Sequence, residues 1–131
     1  MDRQQVEDKL RELLVPVLGR TSAEEIMPEK SLVLDLGADS MDFVEIIYLV
    51  EKNFGVVLKI GEIITGGTGM KPEDLFVEGR LTEHGAGILR ERLAAKAAEI
   101  KPGLSRVDLF GLLTVRDLSE IIAERMKKAG K

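Results

Sequence analysis

The stretch LDLGADSMDFVE, residues 34–45, decides how this chain folds around its most informative residue, Ser40. It begins as a loop and turns into an acidic, amphipathic helix. Asp39 is a good N-cap, and Asp42 follows three residues later, as in a capping box. The pattern predicts a helix from Asp39 or Ser40 to Asn53, with an exposed Ser40 in its first turn. A serine at this place lies near the positive end of the helix dipole and could carry a phosphodiester.

The sequence around Ser40 carries charge of only one sign. Residues 31–51 contain no Lys or Arg and hold five carboxylates, Asp35, Asp39, Asp42, Glu45 and Glu51. A charge cluster of this kind is usually a solvated helix face. Here the acids surround a serine at a helix start and have no basic partner at helical spacing. The pattern therefore favours an electrostatic field that steers basic partners.

The same helix has two apolar stripes. The broad stripe is predicted to face the core and consists of Phe43, Ile46, Ile47, Val50 and Phe54. The narrow stripe lies on the flank of Ser40 and consists of Met41, Val44 and Tyr48. Two interpretations of the narrow stripe stay open: it widens the core, or it is an exposed docking patch.

The helices on either side follow the same rules of periodicity. A first helix is predicted from about Asp2 to Val15, ended or kinked by Pro16, with an apolar face of Val6, Leu10, Leu13 and Val17. A long loop, residues 19–38, should be pinned to the core by Ile26, Leu32, Val33, Leu34 and Leu36. A last helix should start at the cap signature of residues 114–117 and face inward with Leu118, Ile121, Ile122 and Met126. Residues 106–113 could form a short helix before it.

The middle of the chain has a different character. The glycine cluster of residues 66–69 lacks the Gly-Lys-Ser/Thr ending of a phosphate loop and is interpreted as a flexible connection. A helix is predicted from Thr82 to Ile100, with an apolar stripe of Ala86, Leu89, Leu93, Ala97 and Ile100. We expect one domain over residues 1–131, with an insertion at about residues 59–106.

Composition limits the possible functions. The 131 residues have a formal net charge of −4, which argues against a nucleic-acid binder. The chain has no Cys, so disulfides, thiolate catalysis and Cys-ligated metals are excluded, and any thiol must come from a cofactor. The start lacks the pattern of a signal peptide, and no apolar stretch reaches membrane-spanning length. A cytoplasmic protein is expected.

Catalytic and metal-binding patterns are weak. His84 is the single histidine, and its place at a polar helix start predicts a surface position rather than a Ser–His–Asp relay with Ser40. A calcium loop starting at Asp35 would need Gly at its sixth position and Glu at its twelfth, but Ser40 and Ile46 stand there. We therefore predict no catalytic residue, no metal site and no enzymatic activity.

The motif around Ser40 resembles the prosthetic-group site of acyl carrier proteins. The family motif is Asp-Ser-Leu, and this chain has Asp39-Ser40-Met41 within LGADSMD, residues 36–42. Val44-Glu45, the helix end at residues 51–54 and the Thr114-Val115 pair also follow the family pattern. The resemblance covers roughly residues 1–58 and 107–128. Family members connect the second helix to the last through a much shorter stretch.

The resemblance implies an all-α, acyl-carrier-like four-helix bundle with an inserted helical segment before the last helices. It implies that Ser40, flanked by Asp39, receives 4′-phosphopantetheine from coenzyme A through a magnesium-dependent phosphopantetheinyl transferase. The cofactor thiol would carry an acyl chain as a thioester. Acyl-transfer, condensing or acyl-activating enzymes with basic surfaces would dock on Met41, Asp42, Val44, Glu45 and Tyr48. The chain itself would be a non-catalytic monomer.

The resemblance leaves the pathway and two other functions open. It fits fatty acid biosynthesis or a specialised lipid pathway, and the segment of residues 72–77 followed by a helix resembles carriers that deliver hydroxyacyl chains to the lipid A of lipopolysaccharide. One alternative is an acidic helical interaction module that is never modified. Another is an aminoacyl or peptidyl carrier, which uses the same cofactor. Modification of Ser40 separates the unmodified module from both kinds of carrier.

Overall fold

The computed structural model describes residues 1–65, 68 and 70–130. Across these residues it has seven α-helices and one short hairpin, which confirms the predicted all-α class. The helices are α1 (Arg3–Val17), α2 (Ser40–Phe54), α3 (Ile60–Ile64), α4 (Pro72–Leu75), α5 (Glu83–Arg92), α6 (Arg106–Leu112) and α7 (Val115–Lys128). The hairpin strands are β1 (Phe76–Val77) and β2 (Arg80–Leu81), and 3₁₀ helices span Ala23–Glu25 and Ala94–Glu99. Within this described part, no helix is long and apolar enough to cross a membrane.

The chain forms two compact units. The first unit comprises Met1–Leu58 and Thr114–Lys131, and the second comprises Lys59–Leu113. The second unit begins where the insertion was predicted to begin and extends past residue 106, because it also contains α6. The assignment of residues 1–131 to a single domain stays a prediction.

The core of the first unit lies between α1, α2 and α7, each of which contacts the other two. The predicted inward faces of α2 and α7 are largely confirmed: their buried apolar residues are Phe43, Ile46, Val50 and Phe54 on α2, and Val115, Leu118, Ile121, Ile122 and Met126 on α7. On α1 the face consists of Val6, Leu10 and Leu14, all at most 1% exposed. Leu13 and Val17, which were predicted to belong to it, are only half-buried. Glu7 is buried beside them, so the buried face of α1 is rotated toward Glu7 and Leu14 and away from Leu13.

The helix α1 extends two residues beyond its predicted end at about Val15. The helix continues through Pro16 and ends at Val17. Pro16 stands in the last turn, where its missing N–H removes one bond and leaves the following turn intact. The amide of Leu18 donates to the Leu14 carbonyl over 2.9 Å, and that of Arg20 to the Val15 carbonyl over 2.9 Å.

The long loop is tied to the start of α7 by backbone hydrogen bonds. The amide of Val115 donates to the Lys30 carbonyl over 3.1 Å, and that of Arg116 donates to the Pro28 carbonyl over 2.9 Å. These bonds satisfy donors that the first turn of a helix leaves without partners. The loop is therefore an ordered part of the first unit.

The hairpin of the second unit was not predicted. Phe76 pairs with Leu81 and Val77 with Arg80, around a turn in which Glu78 and Gly79 have φ values of 52° and 79°. A two-residue hairpin turn with two positive φ values matches the twist of its strands. The strands were missed because two residues each are too few for an alternating pattern.

The single helix predicted from Thr82 to Ile100 is also wrong. Thr82, where the predicted helix begins, caps α5, but α5 ends at Arg92 and a 3₁₀ helix follows. The 3₁₀ helix contacts α5, and both Leu89 and Ile100 are fully buried. A straight helix would carry Ile100 about 16 Å beyond Leu89 along its axis, so burying both requires the chain to fold back. The interpretation of the glycine cluster falls on Gly66, Gly67 and Gly69, which lie outside the described residues.

Candidate functional site

Ser40 is the first residue of α2 and is exposed to solvent. Asp39 caps the helix: its carboxylate accepts from the amide of Asp42 over 2.9 Å, and its own amide donates to the Asp42 carboxylate over 3.0 Å. The helix ends at Phe54, one residue later than predicted, with Gly55 at a left-handed φ of 71°. The predicted capping box and the glycine stop signal are both confirmed, and they fix the place of Ser40.

Backbone N–H groups at the start of α2 lack hydrogen-bond acceptors among the described residues. Among the described hydrogen bonds, the capping box takes the amide of Asp42, the Asp39 carbonyl takes the amide of Phe43, and none engages the amides of Ser40 and Met41 or the Ser40 hydroxyl. Free amides in the first turn of a 15-residue helix attract anions, because the helix dipole places partial positive charge there. The site therefore fits a phosphate group attached to the Ser40 oxygen.

The turn before Ser40 is anchored on both sides of Gly37. Leu36 and Ala38 are 3% and 5% exposed. The amide of Leu36 donates to the Ser31 carbonyl over 3.0 Å, and that of Ala38 donates to the Leu32 carbonyl over 2.8 Å. Gly37 has a φ of 73°, a conformation that favours glycine. Ser40 thus follows a turn that is held in place by backbone hydrogen bonds and buried side chains.

The exposure of Leu34 contradicts one prediction about this turn. It was expected to pin the loop to the core, but it is 74% exposed. The amide of Gly37 bonds to the Val33 carbonyl, so this part of the loop is helix-like and residues four apart share a face. Leu32 and Leu36 occupy the inner face, and Leu34 lies opposite. The spacing of Leu32 and Leu36 was the signal that could have shown this.

The narrow stripe of α2 is exposed. Met41, Val44 and Tyr48 have 75%, 61% and 60% of their surface accessible, so the stripe does not widen the core of the first unit. Glu45 is exposed beside it, and Asp42 is half-buried because its carboxylate caps the helix. All five predicted partner-binding residues thus lie on the part of α2 that follows Ser40. Exposed apolar side chains among acids are typical of a protein-docking surface.

The net charge of the chain lies entirely in the first unit. That unit has 15 acids and 11 bases, whereas the second has eight of each. Within the described residues, no ion pair engages Asp39, Asp42 or Glu45. Their negative field therefore reaches solvent without a local counter-charge.

The remaining candidates have no comparable environment. His84 is exposed near the start of α5. The described residues include no cluster of three His, Asp or Glu side chains that could hold a metal ion.

One side chain beside the turn was missed. Arg20, in the loop after α1, donates from Nη2 to the Leu36 carbonyl over 3.3 Å. Arg20 is the sole basic residue between Arg11 and Lys30, and that isolation was the available signal. The sequence shows no periodicity that would connect it to Leu36, because the contact spans 16 residues of irregular chain.

Comparison with known proteins agrees with this geometry. Residues 8–68 match the family model described as phosphopantetheine attachment site. The acyl carrier protein of Nitratidesulfovibrio vulgaris strain DP4 is 51% identical over 51 residues, which are 39% of this chain and 66% of that protein. The acyl carrier protein of Solidesulfovibrio magneticus strain RS-1 is 45% identical over 51 residues, 39% of this chain and 64% of that protein. No solved structure matches.

These matches confirm the predicted resemblance and the cofactor class for the segment that contains Ser40 and α2. The chain spans slightly less than two thirds of the length of these relatives. The family model ends at residue 68, so the match covers little of the second unit.

Proposed function

Because residues 8–68 match the family model described as phosphopantetheine attachment site, we propose that Ser40 carries 4′-phosphopantetheine and that the chain transports acyl groups on it. One observation carries the proposal: Ser40 is an exposed serine in the first turn of a capped helix inside the matched segment. Ser31, in the same segment, is 8% exposed, and its hydroxyl accepts from the amide of Leu34. Ser40 is therefore accessible to an enzyme and Ser31 is not.

The modification needs only a nucleophile from this chain. The Ser40 oxygen would form a bond to the pantetheine-side phosphorus of coenzyme A while the P–O bond of the pyrophosphate breaks. Adenosine 3′,5′-bisphosphate would leave, and the hydroxyl proton would pass to a base on the transferase. In the product, one phosphate remains at the start of α2, where the free amides of Ser40 and Met41 offset its charge. The chain is thus the substrate of another enzyme.

The attached group supplies a thiol that can hold an acyl chain as a thioester. The chain has no Cys, so it supplies no competing thiol. Its own residues present Ser40 on the anchored turn of residues 36–39 and hold the phosphate outside the core. This division of labour requires no catalytic side chain in the carrier itself.

The partners are a phosphopantetheinyl transferase and acyl-transfer, condensing or acyl-activating enzymes with basic surfaces. Support comes from the exposed apolar and acidic side chains that follow Ser40 on α2, namely Met41, Asp42, Val44, Glu45 and Tyr48. Asp39 and Asp42 also hold the helix start through the capping box. The apolar side chains would supply contact area, and the acids would speed association.

We further propose that the cargo is an acyl chain of fatty acid or specialised lipid biosynthesis and that the carrier acts as a cytoplasmic monomer. The relatives at 45–51% identity are named acyl carrier proteins, which supports an acyl cargo over an aminoacyl or peptidyl one. The acidic face of α2 supports docking of separate enzymes.

A thiol titration tests the function directly. The purified chain, freed of any prosthetic group, should show no thiol, because it has no Cys. After incubation with coenzyme A, Mg²⁺ and a phosphopantetheinyl transferase, and removal of small molecules, one thiol per chain should be present. Loading with an acyl donor should remove it. A chain that gains no thiol with several transferases would support the unmodified interaction module instead.

A further inference from the structure

Arg20 lies against the turn that presents Ser40 and bonds to it with only part of its guanidinium. Nη2 donates to the Leu36 carbonyl over 3.3 Å. Nε is shielded from solvent and has no hydrogen-bond partner among the described residues. A buried donor without an acceptor costs stability. Stabilisation of the fold alone therefore does not explain an arginine at this position.

The contact has a clear structural consequence. Among the described residues, Leu36 receives no other hydrogen bond at its carbonyl, and only three residues separate Leu36 from Ser40. Between them, Gly37 has a left-handed φ of 73°, and the amide of Ala38 donates to the Leu32 carbonyl. The bond from Arg20 thus fixes the carbonyl at which the turn begins.

A second arginine of the first unit provides the contrast. Arg11 donates from Nε to the Ile26 carbonyl over 2.7 Å and from Nη2 to the Ala23 carbonyl over 2.8 Å. Both are short bonds to the early part of the same loop, and neither reaches residues 36–40. Arg11 thus makes two short hydrogen bonds through its guanidinium, whereas Arg20 makes one longer bond and leaves Nε without an acceptor.

We propose that Arg20 is a positioning residue for the modification of Ser40: through the Leu36 carbonyl it holds the turn of residues 36–39 in the conformation that the transferase reads. The inference rests on the proposed function and deepens it. Transfer to a serine hydroxyl depends on the place of that oxygen, and misplacement by about 1 Å can reduce a rate about 100-fold. A residue that fixes the turn therefore acts on the rate without touching coenzyme A.

The test compares Arg20→Met with Arg11→Met, since each change removes one positive charge and keeps an unbranched side chain. Arg20→Met should melt close to wild type, because it loses a long bond and an unpaired donor together. Its kcat/KM for modification should fall about 10- to 100-fold, and the amides of residues 37–39 should exchange hydrogen faster. Arg11→Met should melt lower and keep the wild-type kcat/KM at a temperature where it is folded. Arg20→Lys, which keeps the charge and a donor, should recover part of the rate.

The two readouts separate the possible failures. Equal kcat/KM values for Arg20→Met, Arg11→Met and wild type would overturn the inference and leave the carrier function standing. Unchanged exchange at residues 37–39 in Arg20→Met would overturn it as well, even if modification slows. If Arg20→Met does not fold, a wild-type kcat/KM for a folded Arg20→Leu variant would overturn it in the same way. If the wild type itself is never modified, the proposed function fails, and the role of Arg20 in modification fails with it.

Discussion

The helix α5 packs closely against Leu75 at Gly85, two residues after the first residue of the helix. A Cβ built there would lie 2.5 Å from the Leu75 carbonyl oxygen and 3.0 Å from the Leu75 Cα. Both atoms belong to the backbone and cannot rotate away. Gly87, two residues further along α5, would meet no atom within 4 Å. A side chain at position 85 would therefore clash with the backbone of Leu75, whereas one at position 87 would not.

Gly85→Ala should lower the free energy of unfolding by about 1–3 kcal/mol, because the new methyl group must push the backbone of Leu75 aside. Gly87→Ala should raise it by about 0.5–1 kcal/mol, since alanine loses less entropy in a helix. Urea denaturation of both variants measures the difference. Equal stabilities of the two variants would contradict the close approach of α5 to Leu75.

Single residues were predictable where local rules decide. The place of Ser40 follows from the Asp39 and Asp42 capping box, which acts over four residues. The exposure of Leu34 and the bond of Arg20 to Leu36 depend on how an irregular loop folds, and the sequence holds no local rule for that. The predictable part of the site is therefore the serine and its helix, and the missed part is the support beneath it.

Among the elements, α1 and α7 are joined by two ion pairs of described residues, and the surroundings of these pairs differ. Arg116 bonds to Glu7 over 3.0 Å, and the side chain of Glu7 is only 8% exposed. The pKa of Arg116 is raised, chiefly because the Glu7 carboxylate accepts a hydrogen bond from it. Arg3 pairs with Glu120 on the same two helices, with side chains 72% and 32% exposed. Only the first pair holds a buried charge.

Arg116→Met should therefore cost about 1–3 kcal/mol of unfolding free energy, because it leaves the buried Glu7 carboxylate without its charged partner. Arg3→Met should cost less than about 1 kcal/mol, as expected for exposed pairs. Thermal or urea unfolding of the two variants provides the comparison. A smaller loss for Arg116→Met than for Arg3→Met would show that the α1–α7 contact does not depend on Glu7.

The elements were predictable in proportion to the length of their patterns. The starts of α2, α5 and α7 carry caps, and the inner faces of α2 and α7 repeat over several turns. The hairpin strands have two residues each, and the fold-back after Arg92 is required only because Leu89 and Ile100 must both be buried. Tertiary packing decides these two features, so local propensity could not predict them.

For the whole molecule, the uneven charge of the two units is the feature that bears on function. The first unit carries the whole net charge of −4, and its acids near Ser40 have no local counter-charge among the described residues. Attraction between exposed charges is screened over about 8 Å at physiological salt. Association with a basic partner should therefore depend on salt.

The variant Asp42→Lys/Glu45→Lys should slow modification of Ser40 at low salt by reversing charge on α2. The wild-type rate should fall as salt rises, and the variant rate should be low and nearly constant, since steering acts mainly on association. Glu73→Lys/Glu91→Lys, which makes the same charge change at exposed positions of the second unit, is the control and should keep the wild-type rate. Equal low-salt rates for all three proteins would mean that α2 is only a solvated face.

Intact-mass spectrometry shows whether Ser40 is the site of attachment. Wild type and Ser22→Ala, which alters another exposed serine of the matched segment, are incubated with coenzyme A, Mg²⁺ and a phosphopantetheinyl transferase beside Ser40→Ala. We expect wild type and Ser22→Ala to gain the mass of one phosphopantetheine group and Ser40→Ala to gain none. A full mass shift on Ser40→Ala, or none on wild type, would contradict this expectation.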